Sequence, residues 1–170
     1  MLGCLASVLA TASVQGQTSI VNSASITVRD NNTATPYPSR ITVGGIVGAV
    51  QKATVTISGV THGYPDDMDI VLVAPSGDRI VLMSDAGGQF DLNTAEITFD
   101  SAAANAVPDE APIATGTYKP FDYAPTGEVL PSPFPTTGSL GADLGVLVGV
   151  TANGNLELYI VDDQEVDAGT

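Results

Sequence analysis

Tryptophan is absent from this 170-residue chain, and cysteine occurs once, at Cys4. No disulfide can close within one copy, so packing and hydrogen bonding hold the fold, or a metal stands in for the staple. Basic residues are scarce: 5 Lys and Arg stand against 19 Asp and Glu, giving a formal charge of −14. Nucleic acid is therefore excluded as an expected partner, because phosphate contact needs Lys and Arg. An anionic membrane surface is disfavoured for the same reason. The single histidine, His62, lacks the set of His and Cys partners that zinc sites use, since the only cysteine is Cys4. Neither a G-x-S-x-G elbow nor a subtilisin-type catalytic block occurs. No apolar run is long enough to span a bilayer. Met1 to Gln17 comes nearest, and it looks like the later part of a secretory signal peptide without the basic start. Leu2-Gly3-Cys4 has the look of a lipoprotein cleavage site but lacks an apolar leader before it.

Apolar residues make up 44% of the chain, mostly Ala, Val, Ile and Leu, interrupted by 18 Gly and 11 Pro. That mixture predicts many short strands joined by turns, in one domain of ordinary size. Three regions are expected: a signal-like leader over 1–19, an approach strand and linker over 20–40, and a β-sandwich over 41–170. Lys52 to Val60 alternates, with Ala53, Val55 and Ile57 set against Thr54, Thr56 and Ser58, as in a half-buried strand. Val71, Leu72 and Val73, then Ile80, Val81 and Leu82, flank Ala74-Pro75-Ser76-Gly77, where Pro and Gly suit a tight turn. The expected hairpin pairs Val73 with Ile80 and Val71 with Leu82, and brings Asp69 near Ser84 and Asp85. Glu96 to Phe99, Leu140 to Val150 and Leu156 to Val161 are further strand candidates, and Asn153-Gly154 signals a two-residue hairpin turn. Asp100 to Thr137 is Pro-rich and irregular, with Tyr118, Phe121, Tyr123 and Phe134 expected to pin it to the sandwich. Asn31-Asn32-Thr33 matches the N-glycosylation sequon.

Acidic side chains gather at the open end of the expected hairpin. Asp66, Asp67, Asp69 and Asp85 form a first candidate set for a hard cation, and Asp162, Asp163 and Asp167 a second. Calcium suits oxygen donors of this kind, with backbone carbonyls and water completing the shell. Asp67, Asp69 and Asp163 are the favoured trio. The spacing is not that of an EF-hand loop. The alternative is that these residues cap turns and keep the chain soluble. As a catalytic base His62 would need a serine nucleophile held within hydrogen-bond reach. Asp67 and Asp69 as a glycosidase pair are disfavoured by short side chains and few aromatics.

Several blocks resemble the P domain, or homo B domain, of proprotein convertases and bacterial subtilisin-like proteases. They are Ala53 to His62 (ATVTISGVTH), Tyr64 to Pro75, Leu82 to Gly88 (LMSDAGG) and Asn153 to Gly169 (NGNLELYIVDDQEVDAG), joined by Gly116-Thr117-Tyr118 with Pro120 and Asp122-Tyr123. The resemblance implies an all-β, jelly-roll-like sandwich of short antiparallel strands. It also implies a secreted, non-catalytic accessory role beside a protease or another extracellular domain, with calcium in some members, and a structural His62 hydrogen-bonded near the Tyr64 turn. The chain departs from the pattern at Leu156, where the family has Trp, and in lacking the Trp-bearing strand that follows the Asp-x-Gly block. The resemblance thus leaves the expected sandwich one strand short, with a bare sheet edge. Rival expectations are a calcium-dependent adhesion or carbohydrate-binding module of the same architecture, and an enzyme in its own right.

Overall fold

The computed structural model describes residues 16–125, 130–165 and 169. Strands β1 (Asn32–Thr33), β2 (Ser39–Val43), β3 (Val55–His62), β4 (Met68–Val73) and β5 (Arg79–Ser84) are followed by β6 (Leu92–Phe99), β7 (Gly116–Tyr118), β8 (Phe121–Asp122), β9 (Leu140–Gly141) and β10 (Gly154–Asp162). They form two mixed sheets packed as an all-β sandwich. The larger runs β1–β10–β4–β5–β8, with β2 sharing the β1 edge of β10 and β9 sharing the β8 edge of β5. The smaller is β3–β6–β7. Its β3 pairs with β6 on one side, and among the described residues no strand pairs with the other. No helix among the described residues is long and apolar enough to cross a membrane.

Two-residue periodicity places the core. Met68, Ile70 and Leu72 of β4, Ile80 and Leu82 of β5, and Ile160 of β10 face Val60 of β3 and Leu92, Ala95, Ile97 and Phe99 of β6. In β3 the expected alternation holds, with Val55 and Ile57 half-buried and Thr56 and Ser58 exposed. β4 is different: every residue from Met68 to Val73 is buried. Its outer face is covered too, which is why its sequence is a continuous apolar run apart from Asp69. The cover comes from the Pro-rich segment. The Phe134 ring lies 5.1 Å from Tyr159 of β10, edge-on, and Tyr37 packs on Tyr159 at 4.9 Å. Tyr123 donates its hydroxyl to the Val107 carbonyl at 2.8 Å, and Tyr118 to that of Ala114 at 3.0 Å. The aromatics do pin this segment, onto the outer face of the sheet as well as its edge.

Three local expectations are corrected. The β4–β5 hairpin pairs Val73 with Arg79 and Val71 with Val81, one residue off the expected register. Gly77 takes a left-handed φ of 91°, and the Ala74 N–H bonds the Asp78 carbonyl, so the turn closes over Ala74 to Asp78, one residue fewer than the expected register leaves between the strands. A bulge between Ile70 and Val71 then moves the pairing to Ile70 with Met83. Continued one residue, that register sets Asp69 opposite Ser84, as expected. Second, Asn153-Gly154 is not a hairpin turn. The Asn153 side chain bonds both backbone groups of Ile46, at 3.0 and 2.7 Å, and imitates a strand neighbour where Gly154 opens β10. Third, Leu140 to Val150 contributes only the two-residue β9. It then coils into a short 3-10 turn over Leu144–Leu147, begun by Asp143, whose carboxylate accepts the Gly145 N–H.

Residues 20–40 pack with the sandwich. Val28 and Ala34 are core residues, and Thr27 bridges to Thr35.

Candidate functional site

One end of the sandwich collects the Asp-rich segments, and its anchor is a buried pair. His62, at the end of β3, and Asp162, at the end of β10, both have side chains closed off from solvent, and His62 Nε2 lies 3.0 Å from Asp162 Oδ2. The Tyr64 N–H donates to His62 Nδ1 at 3.2 Å, so Nδ1 carries no proton and Nε2–H is the donor to the carboxylate. Asp162 Oδ1 accepts two further N–H groups, from Asn31 at 3.1 Å and Gln164 at 3.3 Å. One carboxylate therefore ties β1, β3 and β10 together. His62 is structural, sealed under this knot and hydrogen-bonded at the Tyr64 turn.

Around the knot lies a crowd of carboxylates centred on Asp85. Asp66 ends up here because Pro65 starts a 3-10 turn (Pro65–Asp67) just before β4. Asp85 follows β5 directly, in a left-handed conformation with φ 50°. Asp163 follows β10, and its N–H bonds the Asp67 carbonyl at 3.1 Å. Partial burial, then the nearby Glu110 and Asp85 charges, push the Asp66 carboxyl above the ordinary aspartate range, against a lowering hydrogen bond from the Gly88 N–H. Partial burial, then Asp85 and Asp162, push Asp163 up. Asp122 is raised by burial first, with Asp85 adding to it. The ion pairs of Arg40 with Glu157 and of Lys52 with Asp100 lie elsewhere, and among the described residues no Lys or Arg forms an ion pair with Asp66, Asp85, Asp122 or Asp163. Arg79 sits at the turn end of its hairpin, as the sequence indicates, and donates to the carbonyls of Pro135 and Gly138.

The structure brings Asp66, Asp85 and Asp163 into one electrostatic neighbourhood. Asp67 reaches it through its carbonyl. Asp69 occupies the outer face of the large sheet, buried and within electrostatic range of Tyr37. There it lines a cavity of about 80 Å³ with Ser84, Asp122 and Phe134. Asp162 is engaged in the knot. Asp167 lies outside the described residues. Sequence reasoning missed Asp109, Glu110 and Asp122, all in the Pro-rich segment. Their only local signal is charge beside proline, and long-range bonds from Gly87 N–H to the Pro108 and Asp109 carbonyls bring that stretch in. Among the described residues, no three His, Cys, Asp or Glu side chains are grouped closely enough to hold a metal ion. No family model, curated protein or solved structure matches the chain.

This crowding sets an unusual pH dependence. Asp66, Asp122 and Asp163 hold protons more readily folded than unfolded. Between the ordinary aspartate value of about 4 and their raised values, the folded chain binds the extra protons. Acidification into that window therefore adds stability, and raising the pH back through it removes it. Asp78, Asp100 and Asp143 are lowered: Asp78 by hydrogen bonds from Ser139 and Ser76, Asp100 by Lys52, and Asp143 by the Gly145 N–H. Their contribution is present above the ordinary range and lost as the pH falls below it. The melting temperature is expected to rise as the pH falls from neutral toward the ordinary aspartate value of about 4, and to fall below it. A melting temperature that declines steadily from pH 7 downward would show that the carboxylate crowd does not strain the fold.

Proposed function

We propose that this chain is a secreted, non-catalytic accessory module of the P-domain type. Its role is to stabilise or regulate a neighbouring protease or other extracellular domain, with calcium bound at the acidic end. The observation that carries the reading is the carboxylate crowd around Asp85, which lacks a Lys or Arg ion-pair partner among the described residues. Such a crowd costs stability at neutral pH unless protons or a cation neutralise it. The oxygen-only donor set suits a hard cation of variable coordination, with water and carbonyls such as that of Asp67 available to complete the shell. The side chains are not preformed as a cage, so binding draws Asp85 and its neighbours inward. The fold is compatible with the accessory role, and two blocks resembling the family, Ala53 to His62 and Asn153 to Gly169, meet at this end through His62 and Asp162. The small-residue apolar stretch from Met1 to Gln17 supports export.

The test is calorimetric titration of the purified chain with calcium, alongside melting curves. Calcium is expected to raise the melting temperature at pH 7, with about 2.7 kcal/mol of added stability at free calcium one hundred times Kd. The gain should shrink as the pH falls toward the ordinary aspartate value of about 4, because protons then relieve the crowd. Asp85→Asn should remove most of the response and raise the melting temperature without calcium. Absence of both heat and thermal shift would overturn the calcium reading. For the accessory role, mixing with a candidate protease domain should raise the melting temperature of one or both partners. Hydrolysis of casein by the chain alone would overturn its non-catalytic assignment.

A further inference from the structure

The sequon at Asn31-Asn32-Thr33 has a structural setting that the carboxylate site does not explain. It is the only Asn-x-Ser/Thr triplet in the chain, and neither its middle residue nor the residue after Thr33 is proline. Asn31 is exposed and occupies a tight turn with φ 46°, directly before β1. Its backbone N–H is fixed to the buried Asp162 carboxylate at 3.1 Å, while its side-chain amide makes no hydrogen bond among the described residues. Asn32 and Thr33 then enter an edge strand of the large sheet, opposite Asp162 and Val161. The backbone of the triplet is therefore held rigidly, and the one group that has to react projects from the turn into solvent.

We infer that Asn31 is an acceptor for an N-linked oligosaccharide. The side-chain amide nitrogen forms the new bond to the anomeric carbon of a polyprenyl-diphosphate-linked oligosaccharide. The bond from that carbon to the diphosphate oxygen breaks, and the polyprenyl diphosphate leaves with the electron pair. The amide gives up one proton to a base of the transferase. The Thr33 hydroxyl supplies the second recognition element of the triplet. A glycan at this turn stands on the solvent side of the Asp162 knot and displaces no packed side chain.

This inference rests on the export part of the proposed function, because a secreted chain is the one that meets such a donor. Two expressions in a glycosylating host separate the claims. Behind an efficient foreign export signal, the secreted protein is expected to carry glycan at residue 31 by intact mass and peptide mapping, and an amidase that releases N-glycans should leave aspartate there. N31Q and T33A should be secreted without glycan, and T33S should retain it. Secreted wild-type protein unmodified at residue 31 would overturn the inference, as would a glycan surviving in T33A. Behind the chain's own first residues, failure of export with Asn31 still modified in the first arm would count against the export reading alone.

Discussion

Asp162→Ala is expected to destabilise the chain by about 3–5 kcal/mol, a large share of the 5–15 kcal/mol typical of a domain. The carboxylate accepts hydrogen bonds from His62 Nε2, Asn31 N–H and Gln164 N–H. Alanine removes the carboxylate that the buried His62 Nε2–H donates to, and losing the acceptor of a buried donor costs about 1–3 kcal/mol. The Asn31 turn loses its tether and β1 its alignment on β10. Asp162→Asn distinguishes hydrogen bonding from bulk. Its oxygen can serve Asn31 and Gln164, but its NH2 then faces the Nε2–H of His62. Reversing the imidazole tautomer would only move the conflict to Nδ1, where the Tyr64 N–H already points. Asparagine should therefore cost about 2 kcal/mol, between wild type and alanine. His62→Ala should cost about 3 kcal/mol, and the double variant much less than the sum of the singles. Urea midpoints at constant m-value measure all four proteins. Additive single effects, or an Asp162→Ala loss below about 1 kcal/mol, would mean that the pair does not hold the end of the sandwich together.

How far the sequence anticipated this arrangement depended on the range of the interaction that decides each part. The all-β class and the strand candidates at Lys52 to Val60, Val71 to Val73, Ile80 to Leu82 and Glu96 to Phe99 follow from two-residue alternation and β-branched runs, which act locally, and each overlaps a longer or shifted strand of the fold. Positions set by one or two irregular residues were not legible. Gly77 in the left-handed region changes the hairpin register, and the bulge after Ile70 restores it at the acidic end. Nothing in the spacing of Val71 and Leu82 reports either event. Asn153-Gly154 carries a strong turn signal, yet the Asn153 amide finds Ile46, more than a hundred residues away in sequence. The same limit applied to the site. Asp66, Asp85 and Asp163 were candidates because they end strands that pair. Asp109, Glu110 and Asp122 were not, because only tertiary contacts fold their Pro-rich segment against Gly87 and β5. Asp69 was placed on the correct strand, but its neighbours depend on which segment covers the outer face of the sheet, and alternation cannot say what that cover is.

That cover makes Gly138→Ala the second large effect, expected at about 2–4 kcal/mol. Gly138 has φ 102°, a conformation costly for any residue with a Cβ. A Cβ built there would collide with the carbonyl oxygen of Gly77, a backbone atom in the β4–β5 turn that cannot swing aside as a flexible side chain can. The neighbouring contacts amplify the damage. Arg79 donates to the Gly138 carbonyl at 2.8 Å and to that of Pro135, the Arg79 N–H bonds the Ser139 carbonyl at 2.8 Å, and the guanidinium lies 5.8 Å from the Phe134 ring centre. Displacing Gly138 therefore loosens the strap that keeps Val71, Val81 and Tyr159 dry on the outer face. Gly77→Ala is the control. Its φ of 91° is similar, but a Cβ there meets nothing within 4 Å, so it should suffer only the conformational cost of about 1–2 kcal/mol. Both variants should be compared by urea denaturation and by limited proteolysis of the native protein. Gly138→Ala should be cut faster in the Pro-rich segment, because detaching the strap exposes it without unfolding the sandwich. Gly77→Ala should lose stability without that local sensitivity. Equal losses in the two proteins, with no difference in cutting, would mean that left-handed backbone strain accounts for everything and that the close approach of Gly138 to Gly77 does not hold the strap.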